Sequence, residues 1–216
     1  MKEKKKTLGI VIPYYKNDEI CETAFKELMK LIDKQITDDM LVYIYEDGQY
    51  SMWLSTYKKE NIIIDGECIN KGLSYARNKS IDYLIDNVEY ILFLDSDDLI
   101  SDNYLSEMVK ACQYKDYDIY ESRFFIGKSM EYQIPFKQTE NRYSVTGQAF
   151  STKLIGKNRF DTSIQIGEDT EFMNRVVDPK KIKKMYVGTA DYIYQLGLNR
   201  KSLTMLFQRG LISERR

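Results

Sequence analysis

The stretch YILFLDSDD (90–98) carries five mostly apolar residues straight into three carboxylates within four positions. A short apolar run rich in aromatic and branched side chains reads as a buried strand. Three aspartates at its carboxyl end repel one another and need relief, from water if exposed or from a cation if enclosed. In extended chain Asp95 and Asp97 point to the same side. They could share a divalent ion, or one could hold the ion and the other a ligand hydroxyl. The plain alternative is an acidic turn in which Asp98 or Asp102 caps the next helix.

Working outward, LGIVIP (8–13), MLVYIYEDG (40–48) and NIIID (61–65) have the same strand character. Between them, Ile20, Ala24, Leu28 and Leu31 recur at helical spacing, as do Leu73, Ala76, Ser80 and Leu84 in a helix expected over 72–85. DNYLSEMVKAC (102–112) reads as the helix after the acidic turn. Strands alternating with helices imply βαβ units and a largely parallel sheet. In such sheets ligands sit outside the carboxyl ends of the strands, and there lie Tyr14 and Tyr15, Asp47, and Asp95 to Asp98. The second half is less regular. Strands are expected in 116–127 and 184–188, and helices in TGQAFSTKLIG (146–156) and EDTEFMNRVV (168–177).

The 216-residue chain is 43% hydrophobic and 30% charged, enough for a substantial core in one domain. A formal net charge of −1 argues against general nucleic-acid binding, which needs clustered positive charge. Cys21, Cys68 and Cys112 form no CxxC pair and read as reduced thiols of an intracellular protein. No apolar run is long enough to span a bilayer, and the basic start KEKKK reads as a solvated tail. A cytoplasmic protein, at most peripheral to a membrane, is expected. The chain has no histidine. A general base must therefore be a carboxylate, lysine, tyrosine or cysteine, and a metal site must rest mainly on oxygen, which favours Mg²⁺ or Mn²⁺.

VIPYYKN, YEDGQYS, NKGLSYARNKSID, FLDSDD and FDTSIQIGEDTEFMNR follow in this order with βα spacing. Together they resemble the family-2 glycosyltransferases, over about residues 7–177 and more faintly over YIYQLGLNRKSLT (192–204). The resemblance implies a single GT-A domain, a Rossmann-like mixed sheet flanked by helices. Residues 7–98 would form the nucleotide-sugar half and 99–205 the acceptor-side half, with 1–6 and 206–216 as tails. It also implies an inverting, metal-dependent enzyme. One sugar would move from a UDP-hexose or UDP-N-acetylhexosamine to a hydroxyl acceptor, such as a glycan in surface polysaccharide synthesis. The absence of a long C-terminal extension favours single addition over processive synthesis.

Residue by residue, the resemblance places Pro13 and Tyr15 around the base and Asp47 on the uracil edge, although Glu46 stands where the family usually has an aspartate. Gly72 opens a helix toward the nucleotide, and Arg77 and Asn78 match the family's ARN element beside it. Arg77 could pair with phosphate or with Asp95. Asp95, with Ser96 beside it, would contact the ribose or a metal-bound water; Asp97 would be the metal ligand, supported by Asp98. Asp169 would be the catalytic base, with Glu168 its neighbour on the acceptor or diphosphate side. The histidine that some members place after the acidic pair is missing, and Arg200 and Lys201 are candidates to close over the diphosphate. Each position also has a local reading: Asp47 as a turn former, Arg77 on a helix surface, Glu168 and Asp169 at a helix N-terminus. Rival functions are a nucleotidyltransferase, whose glycine-rich start after the first strand is absent, and a nucleotide-sugar or glycan-binding module without turnover.

Overall fold

A computed structural model describes residues 4–128 and 144–196. The chain runs β1 (Lys6–Tyr14), α1 (Glu19–Gln35), β2 (Met40–Asp47), α2 (Met52–Thr56), β3 (Ile62–Glu67), α3 (Leu73–Leu84) and β4 (Val88–Phe93). It continues through β5 (Leu99–Ile100), α4 (Tyr104–Gln113), β6 (Ile119–Lys128), β7 (Gln148–Ser151), α5 (Thr152–Ile155), α6 (Glu168–Val176) and β8 (Lys184–Leu196). One mixed sheet of eight strands has the order β3-β2-β1-β4-β7-β6-β8-β5. The pairs β1–β2, β1–β4, β2–β3 and β6–β8 are parallel; β7 is antiparallel to both its neighbours, and β5 is antiparallel to β8.

The central strands are buried on both faces, as parallel strands between helical layers must be. Leu8, Ile10 and Ile12 of β1 join Val42, Ile44 and Leu92 in a core with Phe25, Leu28 and Ile32 of α1 and Leu105 and Met108 of α4. Val11, Tyr43, Tyr45 and Phe93 point the other way, toward Ala76, Ile81 and Leu84 of α3 and Phe172 of α6. Gly9 sets how closely α3 approaches: a Cβ there would meet Val88 at 2.9 Å and Leu84 at 3.1 Å.

The structure departs from the sequence reading in four places. TGQAFSTKLIG is not one helix but strand β7 followed by the single turn α5. Ala149 and Phe150 face opposite cores between β4 and β6, so tertiary pairing overrides a local pattern that suits either state. Ile20, placed on the apolar stripe of α1, is 54% exposed, and Cys21 is buried in its stead. The basic tail is partly docked: Lys5 donates to the Ile85 carbonyl at 2.9 Å, and Lys6 to the Asp38 carbonyl and Asn61 Oδ1. Short elements α2 and β5 were not expected. Among the described residues no helix is long and apolar enough to cross a membrane. The three cysteines are unbridged.

Candidate active site

β1, β2 and β4 are mutually parallel, so their carboxyl ends open on one edge of the sheet. Asp47 ends β2 with its carboxylate turned to the start of α3, where Oδ1 accepts from Lys71 N–H and Oδ2 from Gly72 N–H, both at 2.7 Å. Burial nevertheless raises its pKa, the two amide bonds opposing. An anion does sit at this helix N-terminus, as amide dipoles favour, but it is the protein's own. Gly72 takes a φ of 94°, in the region that favours glycine, and no atom lies within 4 Å of a Cβ there. Tyr15, 45% exposed, sets its ring edge against Gly48, the residue after Asp47. Pro13 is buried in β1 opposite Tyr45. Glu46 turns inward, its Oε1 accepting from Ser51 N–H at 2.7 Å.

Arg77 of α3 is the hub. It is not a surface residue: its side chain is 2% exposed. Nη2 donates to Asp95 Oδ1 at 3.1 Å, and Nη1 to Asp169 Oδ1 at 2.5 Å and Glu168 Oε1 at 3.2 Å. Burial works against the guanidinium charge, but the three carboxylates outweigh it and raise its pKa. One side chain therefore joins the end of β4 to the start of α6, two points far apart in sequence. The Phe160 ring lies 5.2 Å from the guanidinium and stacks on Phe172 of α6 at 4.1 Å.

Asn78, expected beside the nucleotide, bonds to the backbone of Phe160 in the loop before α6. Its Nδ2 donates to the Phe160 carbonyl at 2.9 Å and its Oδ1 accepts from Phe160 N–H at 2.7 Å, so its amide fastens the residue that covers Arg77. Asn78→Ala should lower stability by about 1–3 kcal/mol in urea denaturation, from two partly buried bonds, and leave UDP affinity nearly unchanged. A large loss of UDP affinity at unaltered stability would return Asn78 to the donor site.

The acidic turn separates its aspartates. Asp98 is buried; Tyr192 Oη donates to Oδ2 and Gln195 N–H to Oδ1, the latter at 2.8 Å, so β8 occupies both oxygens. Burial, then the charges of Asp97 and Asp95, raise its pKa well above the carboxylate range. Asp95 is held by Arg77, and burial raises its pKa against the pull of that cation. Ser96 is half-buried between them. Asp97 is half-buried, and no other described residue donates a hydrogen bond or ion pair to its carboxylate. Burial and the Asp95 charge push its pKa up to about 6.

At α6, Asp169 Oδ2 accepts from Ser144 Oγ at 2.9 Å and from Val145 N–H at 3.1 Å. With Arg77 on Oδ1, three donors fix this carboxylate. Among the described residues Glu168 has one side-chain partner, Arg77 at 3.2 Å, and burial followed by the Asp169 charge pushes its pKa up to about 7. Arg200 and Lys201 lie outside the described residues. Sequence reasoning missed Ser144, Tyr192 and Gln195. None carries a motif, and only the tyrosine-rich character of β8 hinted at the second.

The fold is shared with solved transferases. S. aureus TarS 1–349 in complex with UDP superposes with a TM-score of 0.70 at 18% identity, over 88% of this chain and 60% of that one. GalNAc-T7 with UDP, GalNAc and Mn²⁺ superposes with a TM-score of 0.66 at 14% identity, over 91% of this chain and 45% of that one. The class so defined is a glycosyltransferase of GT-A fold. Residues 10–178 match glycosyl transferase family 2, and the chain belongs to that family. A poly(ribitol-phosphate) beta-glucosyltransferase of Bacillus spizizenii is 28% identical over 210 residues. That alignment takes in 87% of this chain, which spans only 31% of the relative's length.

Proposed function

We propose that this chain transfers one sugar, with inversion, from a UDP-sugar to a hydroxyl of a surface polysaccharide or related polymer, with the aid of Mn²⁺ or Mg²⁺. The observation that carries the reading is the Arg77 junction, which brings Asp95 at the end of β4 and Glu168 and Asp169 of α6 onto one guanidinium. The TarS complexes with UDP and with UDP-GlcNAc, and the relative named for poly(ribitol-phosphate), support this donor and acceptor class.

In this reading Tyr15 and the Asp47 turn receive the base. Asp47 Oδ1 and Oδ2 each retain a lone pair beyond their amide bonds, so the carboxylate can accept the uracil imide N–H while holding α3 in place. The metal test rests on Asp97. A half-buried carboxylate without a described partner, its pKa lifted by burial and by Asp95, is a group that gains from a cation. No cluster of three or more acids or thiols able to hold a metal occurs among the described residues. An ion held there would take one or two protein carboxylates and complete its shell with phosphates and water. Asp97 would hold it, with Asp95 beside it; Asp98, bound to β8, is assigned a structural part. When bound, the ion would offset charge on the departing diphosphate.

The chain's own groups do the rest. Asp169 takes the proton from the acceptor hydroxyl as that oxygen bonds to the anomeric carbon, on the face opposite the breaking bond to diphosphate. Arg77 and Ser144 keep Asp169 aimed.

Calorimetric titration with UDP should show binding weakened by a chelator, and weakened to the same extent by Asp97→Asn in the presence of Mn²⁺. Equal UDP affinity with and without metal would sink the metal assignment. Product with the donor's anomeric configuration retained would sink inversion.

A further inference from the structure

Strand β8 packs along the acidic turn. Leu99 and Ile100, just after the turn, pair with Ile193 and Tyr192. Tyr192 Oη, besides donating to Asp98, accepts from Asp95 N–H at 3.4 Å. Gln195 then makes two bonds with different owners: its N–H donates to Asp98 Oδ1 at 2.8 Å, and its side-chain Nε2 donates to the Asp97 carbonyl at 2.9 Å. The turn itself closes through Asp98 N–H to the Asp95 carbonyl at 3.2 Å.

The consequence falls on Asp97. Asp95 is oriented through its own carboxylate by Arg77, and Asp98 by Tyr192 and Gln195. Among the described residues Asp97 has no such hold on its side chain, so the position of its carboxylate leans on its backbone, and a side-chain bond to that peptide comes from Gln195. Gln195 is 8% exposed, so water is a poor substitute for its amide. A carboxylate that must meet an ion within a few tenths of an ångström depends on such outer support.

We propose that Gln195 is a positioning residue for the metal carboxylate, acting through the Asp97 carbonyl and not touching ion or substrate itself. The proposal rests on the assignment of Asp97 as metal ligand. Gln195→Met keeps length and bulk and leaves the backbone bond to Asp98 intact, while removing the side-chain donor to the Asp97 carbonyl. UDP binding is measured by calorimetry across a series of Mn²⁺ concentrations, and again with chelator present. Asp97→Asn is measured alongside, and thermal melting is recorded for each protein. The half-saturating Mn²⁺ concentration should rise about tenfold in Gln195→Met, the lower end of what losing an outer-shell partner costs. Metal-free UDP affinity should not change. A half-saturation equal to the parent's, with Asp97→Asn abolishing the metal effect, overturns the role of Gln195 and leaves the metal assignment standing. A metal effect that survives Asp97→Asn overturns both. A loss of UDP affinity in Gln195→Met that is the same with and without Mn²⁺ assigns the residue a merely structural part and also overturns the proposal.

Discussion

Arg77→Met should destabilise the protein by about 3–5 kcal/mol and abolish transfer, because it leaves buried acids without their shared cation. The side chain is 2% exposed and bonded to Asp95, Glu168 and Asp169. Methionine fills much of the volume and packs acceptably against Phe160 and Phe172. The loss is therefore electrostatic and not a cavity. Three carboxylates would then repel across a small space, and α6 would have nothing charged to draw its first turn toward β4. Arg77→Lys separates the two effects. An ammonium restores a charge, but it is a compact point on a flexible stem and cannot bond three acids in the fixed fork of a guanidinium. It should recover part of the stability and little of the activity. Urea denaturation followed by fluorescence, with transfer assayed in the same preparations, reads both. An Arg77→Met protein with the parent's unfolding midpoint would show that the junction does not hold the site together.

What could be read from sequence follows how local the causes are. The alternation of apolar strands with helical stripes is local, and it located β1 to β4, α1, α3 and α4 to within a few residues. The gathering of Tyr15, Asp47 and Asp95 to Asp98 on one edge follows from strand direction alone. β7 was not legible, because Ala149 and Phe150 become a strand only between β4 and β6. Apart from Asp95 as a partner of Arg77, the partners of the site residues were hidden for the same reason. Asn78 reaches Phe160, 82 positions on; Arg77 reaches Asp169, 92 on; and Asp98 meets Gln195, 97 on. Motif order indicated that these acids belong to one site. It could not say that Asp98 is bound away by β8, that Asn78 serves a loop, or that Asp47 caps α3 with both oxygens. Each of those roles depends on a backbone group brought in by the fold.

Asp169→Asn should cost on the order of 10²–10⁴ in transfer rate, the range for removal of a general base, with donor affinity close to the parent's. Two carboxylates compete for the role. Glu168 has its pKa pushed up to about 7 by burial and by the Asp169 charge, which suits a base near neutral pH. Asp169 has the better aim. A carboxylate offers about four acceptor positions, and Arg77, Ser144 and Val145 take three of those on Asp169. That leaves one direction open, as a base bound to a single hydroxyl geometry requires. Among the described residues Arg77, at 3.2 Å, is the one side chain that reaches Glu168, which keeps more positions open. Neighbours in a helix diverge by about 100°, so the two cannot face one hydroxyl equally. Asparagine at 169 cannot satisfy all three donors, because one of its polar ends is itself a donor. Some loss of stability should therefore accompany the loss of rate, and melting must be recorded beside turnover. Glu168→Gln should cost less in rate, since it leaves Asp169 and its anchors in place. If Glu168→Gln loses as much as Asp169→Asn or more, a pKa near neutral outranks aim at this site and the base is Glu168.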